Sequence, residues 1–77
     1  MNEPLPPLPK IALGQYRHYR TRQLYEVIGV SYHSESLAPL VVYRALYGLQ
    51  ELWARPYEMF TGVVDDNGKL VKRFEKV

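Results

Sequence analysis

Two arginines sit inside the most apolar part of this chain. Arg44 and Arg55 fall within residues 40–60, LVVYRALYGLQELWARPYEMF, among Tyr43, Tyr47, Trp53 and Tyr57. A guanidinium is rarely buried without a partner. Its planar fork can clamp a carboxylate or phosphate through two bonds, and over a ring face it gains about 0.5–2 kcal/mol. Two arrangements are therefore open. The arginines either pair with Glu26, Glu35 or Glu58 and brace neighbouring strands, or join the rings in a groove for an anionic or extended partner. Arg, Trp and Tyr are the residue types enriched at binding hot spots. Arg44, Arg55, Tyr43, Tyr47 and Trp53, with His33 and Glu35, make up the candidate binding surface.

Other constellations carry less chemistry. His18 and His33 are the only histidines and there is no cysteine, whereas a structural zinc site takes four Cys or His ligands. No metal site or cofactor is expected. His33-Ser34-Glu35 sets a base, a hydroxyl and a carboxylate in succession, but adjacent side chains on a strand point apart and form no relay. Ser34 and Glu35 are instead expected to organise a loop by bonding its backbone amides. With no catalytic signature, the chain is not expected to be an enzyme. A small ligand-binding or catalytic site around His33, Glu35 and Arg44 would require all three to converge in one pocket.

Tyr16–Arg22, YRHYRTR, holds Arg17, Arg20 and Arg22 and no acid. Cations interleaved with rings suit single-stranded nucleic acid, the charges for phosphates and the rings for bases. Strand alternation separates Arg17 from Arg20, however, and a net charge of +2 is small for a dedicated nucleic-acid binder.

The elements that must position these groups are short. Seventy-seven residues make one domain. The absence of cysteine suits a reducing cytoplasm and leaves the core to aromatics, each large ring removing about 150–250 Å² from water. No apolar run approaches the roughly 20 residues of a membrane span. The first residues have neither the cationic start nor the apolar core of a secretory signal. Residues 2–9, NEPLPPLP, hold four of the six prolines and predict an extended arm over residues 1–12. Leu5 or Leu8 would rest on the body. The proline pattern formally resembles a ligand for polyproline-binding domains.

Residues 16–20 alternate as a strand, and Thr21–Gln23 is a turn. Residues 24–33 are β-branched and aromatic, with Gly29 marking a bulge or bend. Residues 34–36 with Ala38-Pro39 connect to the next element. Val42, Leu46, Leu49 and Trp53 fall at helical spacing, but Val41, Val42 and Tyr43 after Pro39 favour a strand over residues 40–47. One face would carry Val41, Tyr43, Ala45 and Tyr47, and the other Val42, Arg44 and Leu46. A turn at 48–51 leads to a strand at 52–55. Pro56 then opens a helical turn over 56–60, Gly62 lets the chain leave it, and Asp65–Gly68 makes a hairpin. The tail, residues 69–77, reads as one strand. These elements predict a small all-β barrel whose closure hides its edges.

Gly14-Gln15-Tyr16-Arg17-His18-Tyr19, Tyr25–Gly29, His33-Ser34-Glu35, Leu40–Gly48, Leu52–Pro56 and Glu58-Met59-Phe60 resemble, in order and spacing, the bacterial domain-of-unknown-function family DUF1653. The resemblance covers about residues 13–75. It implies that residues 13–77 form a five-stranded barrel of the SH3-like type with one short helical turn near 56–60. It implies no activity, and a fold of this kind does not choose a function. The expectation is a non-enzymatic cytoplasmic module that recognises a protein or peptide. A nucleic-acid-binding barrel is the alternative, and self-association through the aromatic surface is open.

Overall fold

Residues 39–45 set the centre of the fold through their alternation. Val41, Tyr43 and Ala45 are buried, while Leu40, Val42 and Arg44 between them are half-buried. In the computed structural model, which describes residues 4–77, this strand is β3 (Pro39–Ala45). The others are β1 (Gly14–His18), β2 (Leu24–Tyr32), β4 (Leu52–Pro56), β5 (Val63–Asp66), β6 (Lys69–Lys72) and β7 (Phe74–Lys76), with one helical turn, α1 (Tyr57–Thr61). Five strands form an antiparallel sheet in the order β4-β3-β2-β1-β7, and β5 pairs with β6 in a separate hairpin. The chain is thus mostly β, and residues 40–45 are strand, as their β-branched start requires.

The core is aromatic. Tyr16, Val27, Val41, Tyr43, Phe60 and Phe74 pack as one cluster. Phe60 from α1 stacks on Phe74 from β7, with ring centroids 4.2 Å apart and planes 5° from parallel. Tyr43 approaches both rings, at 5.1 and 5.6 Å. These contacts curl the two sheet edges, β4 and β7, toward each other. No strand pairing joins those edges among the described residues, so the expected barrel closure is not formed. The Phe60–Phe74 stack packs in the core beneath the gap where the ladder would close.

The β1–β2 and β2–β3 turns are built alike. In each, a histidine Nδ1 accepts two backbone N–H groups: Arg20 and Thr21 on His18, and Glu35 and Ser36 on His33. The histidine carbonyl accepts the N–H of Arg22 or Leu37, residues with φ near +64° and +63°. A hydroxyl completes each turn, Thr21 Oγ1 accepting from the Gln23 N–H and Ser36 Oγ from the Ala38 N–H. The pattern His-x-x-Ser/Thr is therefore the local code for both turns. It also corrects two expectations. The first strand is 14–18 and not 16–20, because His18 gathers the amides of residues 20–22 into a turn. His33 and Ser36, not Ser34 and Glu35, supply the acceptors of the second turn.

Gly29 falls where the β2–β3 register slips, between Val27↔Tyr43 and Gly29↔Val42, as its position in the strand suggested. Asn67 and Gly68 both have positive φ, the two-residue turn that suits a hairpin, and Asp65 Oδ1 accepts the Gly68 N–H at 2.7 Å. Pro56 is the last residue of β4 and flanks the helical turn, with ψ 138°, in place of opening it. The tail is two strands rather than one. Arg73 breaks it: its N–H donates to Gly62 O, its carbonyl accepts from Tyr19 N–H, and its Nε donates to Met59 O at 3.0 Å.

Gly62 is extended, so close approach and not φ demands glycine there. A Cβ would lie 2.7 Å from the Glu58 carbonyl oxygen. Gly62→Ala should therefore push α1 off the Arg73 clasp and cost about 1 kcal/mol, read as a lowered thermal midpoint with unchanged Asp65–Gly68 hairpin signals by NMR.

The arm has no regular structure over residues 4–13. Ile11 packs against the core, Tyr16 donates to Ala12 O at 2.7 Å and Tyr32 to Pro6 O at 2.5 Å. Leu8 rests half-buried on the body while Leu5 stays 55% exposed. Residues 1–3, part of the predicted arm, lie outside the described residues. No helix among the described residues is long and apolar enough to cross a membrane.

Candidate functional site

A groove of about 240 Å³ occupies the gap between β4 and β7. Trp53 and Arg55 come from the β4 edge, Tyr43 and Tyr25 from the inner faces of β3 and β2, and Phe74 from β7. His18 and Thr21 from the β1–β2 turn and Tyr47, beyond the end of β3, complete the lining. Alternation explains the set. Trp53 and Arg55 are two residues apart on β4 and share a face, and the β3–β4 register sets Trp53 beside Tyr43.

The floor is buried and the rim is open. Tyr43 is buried, whereas Tyr47 is 40% and Trp53 53% exposed. Tyr25 and Tyr47 share a hydroxyl–hydroxyl hydrogen bond of 2.6 Å. Burial first, then that bond and the neighbouring Tyr47 and Tyr43, push the Tyr25 phenol up to about 12, so it stays protonated near neutrality. Beyond Tyr47 and Trp53 a second hollow of about 300 Å³ continues the surface past Leu49, which is 86% exposed.

Arg55 is half-buried. Its Nε donates to the Tyr43 hydroxyl at 3.4 Å, a long bond, and its guanidinium lies 5.8 Å from the Phe74 ring centroid. Among the described residues no carboxylate lines the groove, and Glu51 borders the adjoining hollow. Burial first, and then the nearby Arg55, Arg73 and Arg20, lower the His18 pKa. A guanidinium fork of this kind is able to clamp a carboxylate or phosphate through two bonds.

The other candidates are elsewhere. Arg44 faces the opposite side of β3, beside Glu26 and Leu52 across the ladder, and its Nη1 donates to Gln50 O at 2.9 Å. His33 and Glu35 sit in the β2–β3 turn. That turn adjoins Pro39, five residues from Arg44 along the strand, or about 17 Å at the usual rise. His33, Glu35 and Arg44 thus do not converge, as a small active site would need. Arg17 lies across from Glu75 and Leu24, and Arg20 rests 5.5 Å from the Tyr19 ring centroid. Arg22 borders a polar hollow that also contains Asp66 and Glu75. These three arginines share no continuous track. Among the described residues no cluster of three or more His, Cys, Asp or Glu side chains is placed to hold a metal ion.

His18, Thr21, Tyr25 and Phe74 were not assigned to this surface from sequence. Only for Tyr25 was a signal present, since it shares the inward parity of Val27.

Fold and groove together define a small β domain with a curled five-stranded sheet and an aromatic cleft at its unclosed seam. The chain belongs to the family described as "Protein of unknown function (DUF1653)", whose model matches residues 14–76. It is similar to the crystal structure of a DUF1653 protein from Bordetella bronchiseptica, with 30% identity, 87% of each chain covered and a TM-score of 0.77. No curated protein matches the sequence.

Proposed function

We propose that this protein is a non-enzymatic binding module that takes an extended, acidic peptide segment of a protein partner into the groove between β4 and β7. The observation that carries this reading is Arg55, half-buried among Tyr43, Trp53 and Phe74 in a cleft that no carboxylate among the described residues lines. The exposed rings of Tyr47 and Trp53 supply the apolar contact and Arg55 the ionic anchor, the composition of a binding hot spot. The strand order and the helical turn after β4 support the finer fold reading, an SH3-like barrel left open at the β4–β7 seam. A bacterial cytoplasmic setting is part of the same proposal.

Trp53 is the only tryptophan, so its emission reports the groove directly. Acidic, neutral and basic proline-containing synthetic peptides of equal length should be titrated into the full chain. The acidic peptides are expected to shift the emission saturably, and Arg55→Gln to weaken them about tenfold, the loss of one charge-assisted contact worth near 1.4 kcal/mol. A salt-sensitive response to single-stranded oligonucleotides alone, abolished by changes at Arg17, Arg20 and Arg22, would favour the nucleic-acid alternative instead.

A further inference from the structure

The chain carries a segment with the chemistry its own groove lacks. Pro4, Leu5, Pro6 and Pro7 are all exposed, and Glu3 immediately precedes them in the sequence. A run of this composition favours the polyproline II conformation, which has no internal hydrogen bonds and little ordering entropy left to lose. Aromatic-lined grooves recognise such segments because their flat rings pack against proline. The groove offers Tyr25, Tyr47 and Trp53 for that packing and Arg55 for an acid.

The arm is not delivered to its own groove. It joins the domain at Gly14, opposite Val27, whereas the groove lies past the other end of β1, at His18. Pro6 instead reaches Tyr32 at the far end of β2. Arm and groove thus point in opposite directions, the arrangement of a head-to-tail contact between two molecules.

Resting on the groove reading above, we infer that the occupant of the groove is the Glu3–Pro7 arm of a second copy of this chain. Glu3 meets Arg55, and the proline face lies on Trp53 and Tyr47. Because donor and acceptor surfaces differ, the contact is heterologous, and association proceeds past the dimer unless a ring closes.

Sedimentation of the full chain over a concentration series, and titration of a synthetic peptide of residues 2–10 (NEPLPPLPK) into it, test the inference together. The expected result is a mass that rises with concentration, falls when the peptide is added, and is accompanied by a saturable Trp53 emission change. Pro4→Ser with Pro7→Ser should lower self-association while leaving the response to added peptide intact. Arg55→Gln should weaken peptide binding about tenfold. A chain that stays monomeric and shows no emission change with the peptide overturns the inference, and so does association that the peptide does not reverse. If unrelated acidic proline peptides bind and the arm peptide does not, the groove reading stands and the self-recognition fails. If no peptide binds, both fail.

Discussion

Phe74→Ala is expected to remove a large share of the stability of this domain, about 3–5 kcal/mol. The ring is 4% exposed, stacks on Phe60 at 4.2 Å, and meets His18, Tyr25 and Tyr43 at 5.1 to 5.6 Å. It is the one side chain of β7 that reaches the core. At about 0.05–0.15 kcal/mol per residue, a chain of this size holds roughly 4–12 kcal/mol in total. The substitution would also take away the ring beneath Arg55 and leave a void between β7 and α1. Urea denaturation followed by circular dichroism gives the measurement. Val71→Ala, at a half-buried position of the β5–β6 hairpin, is the comparison and should cost under half as much. Equal losses at both positions would mean that the seam is not held by the Phe60–Phe74 stack.

His18 gives the second large effect, and it depends on pH. Its Nδ1 accepts the N–H groups of Arg20 and Thr21 at 3.2 and 3.4 Å, so the ring must be neutral with its proton on Nε2. Burial, then Arg55, Arg73 and Arg20, lower its pKa below the ordinary 6.5. The unfolded chain therefore binds a proton more readily than the folded one. The stabilisation is fully present above pH 6.5 and is lost as the pH falls from there through the folded pKa. Thermal midpoints should drop with acidification through this window, and unfolding should take up a fraction of a proton. His18→Ala should flatten that part of the profile and cost about 2 kcal/mol at neutral pH, from two lost backbone contacts and the edge of the ring against Phe74. An unaltered profile in the variant would remove His18 as its source.

The same residue connects stability to the groove. His18 holds the β1–β2 turn in shape and lines the cleft, so acid that loosens the turn should also weaken peptides bound beside Arg55. The β2–β3 turn has the same construction around His33 and lies away from the cleft. His33→Ala is therefore expected to destabilise the fold without changing peptide affinity.

Particular residues mark where the sequence was legible. Val41, Tyr43 and Ala45 were readable as one face of a strand because strand parity is a local property with a period of two; that this face is the buried one comes from the packing. Gly29, Asn67 and Gly68 were readable because turns and bulges demand special backbone angles that few residues adopt. Arg55, Tyr43, Tyr47 and Trp53 were identified as a surface and do line one groove. Arg44 was grouped with them by proximity in sequence, yet the parity that makes Tyr43 an inward residue sends Arg44 outward.

The tail shows the opposite case. Residues 69–77 alternate like one strand, and nothing local announces that Arg73 ends one pairing and begins another. That break rests on Gly62, Met59 and Tyr19, all distant in sequence. The unclosed seam is equally non-local, since it depends on how far the sheet curls before Phe60 and Phe74 meet.

By itself, then, the amino-acid sequence determined which residues of the central strand share a face, the approximate positions of the turns, the aromatic character of a cysteine-free core and the proline arm. Those follow from backbone sterics and side-chain chemistry acting over a few residues. Tertiary structure alone decided that His18, Tyr25 and Phe74 stand beside Trp53 and Arg55, that Arg55 faces a cleft without a carboxylate, and that the arm leaves from the opposite end. These are consequences of strand order and curl, which arise from packing among residues far apart in the chain and leave no local periodicity to read.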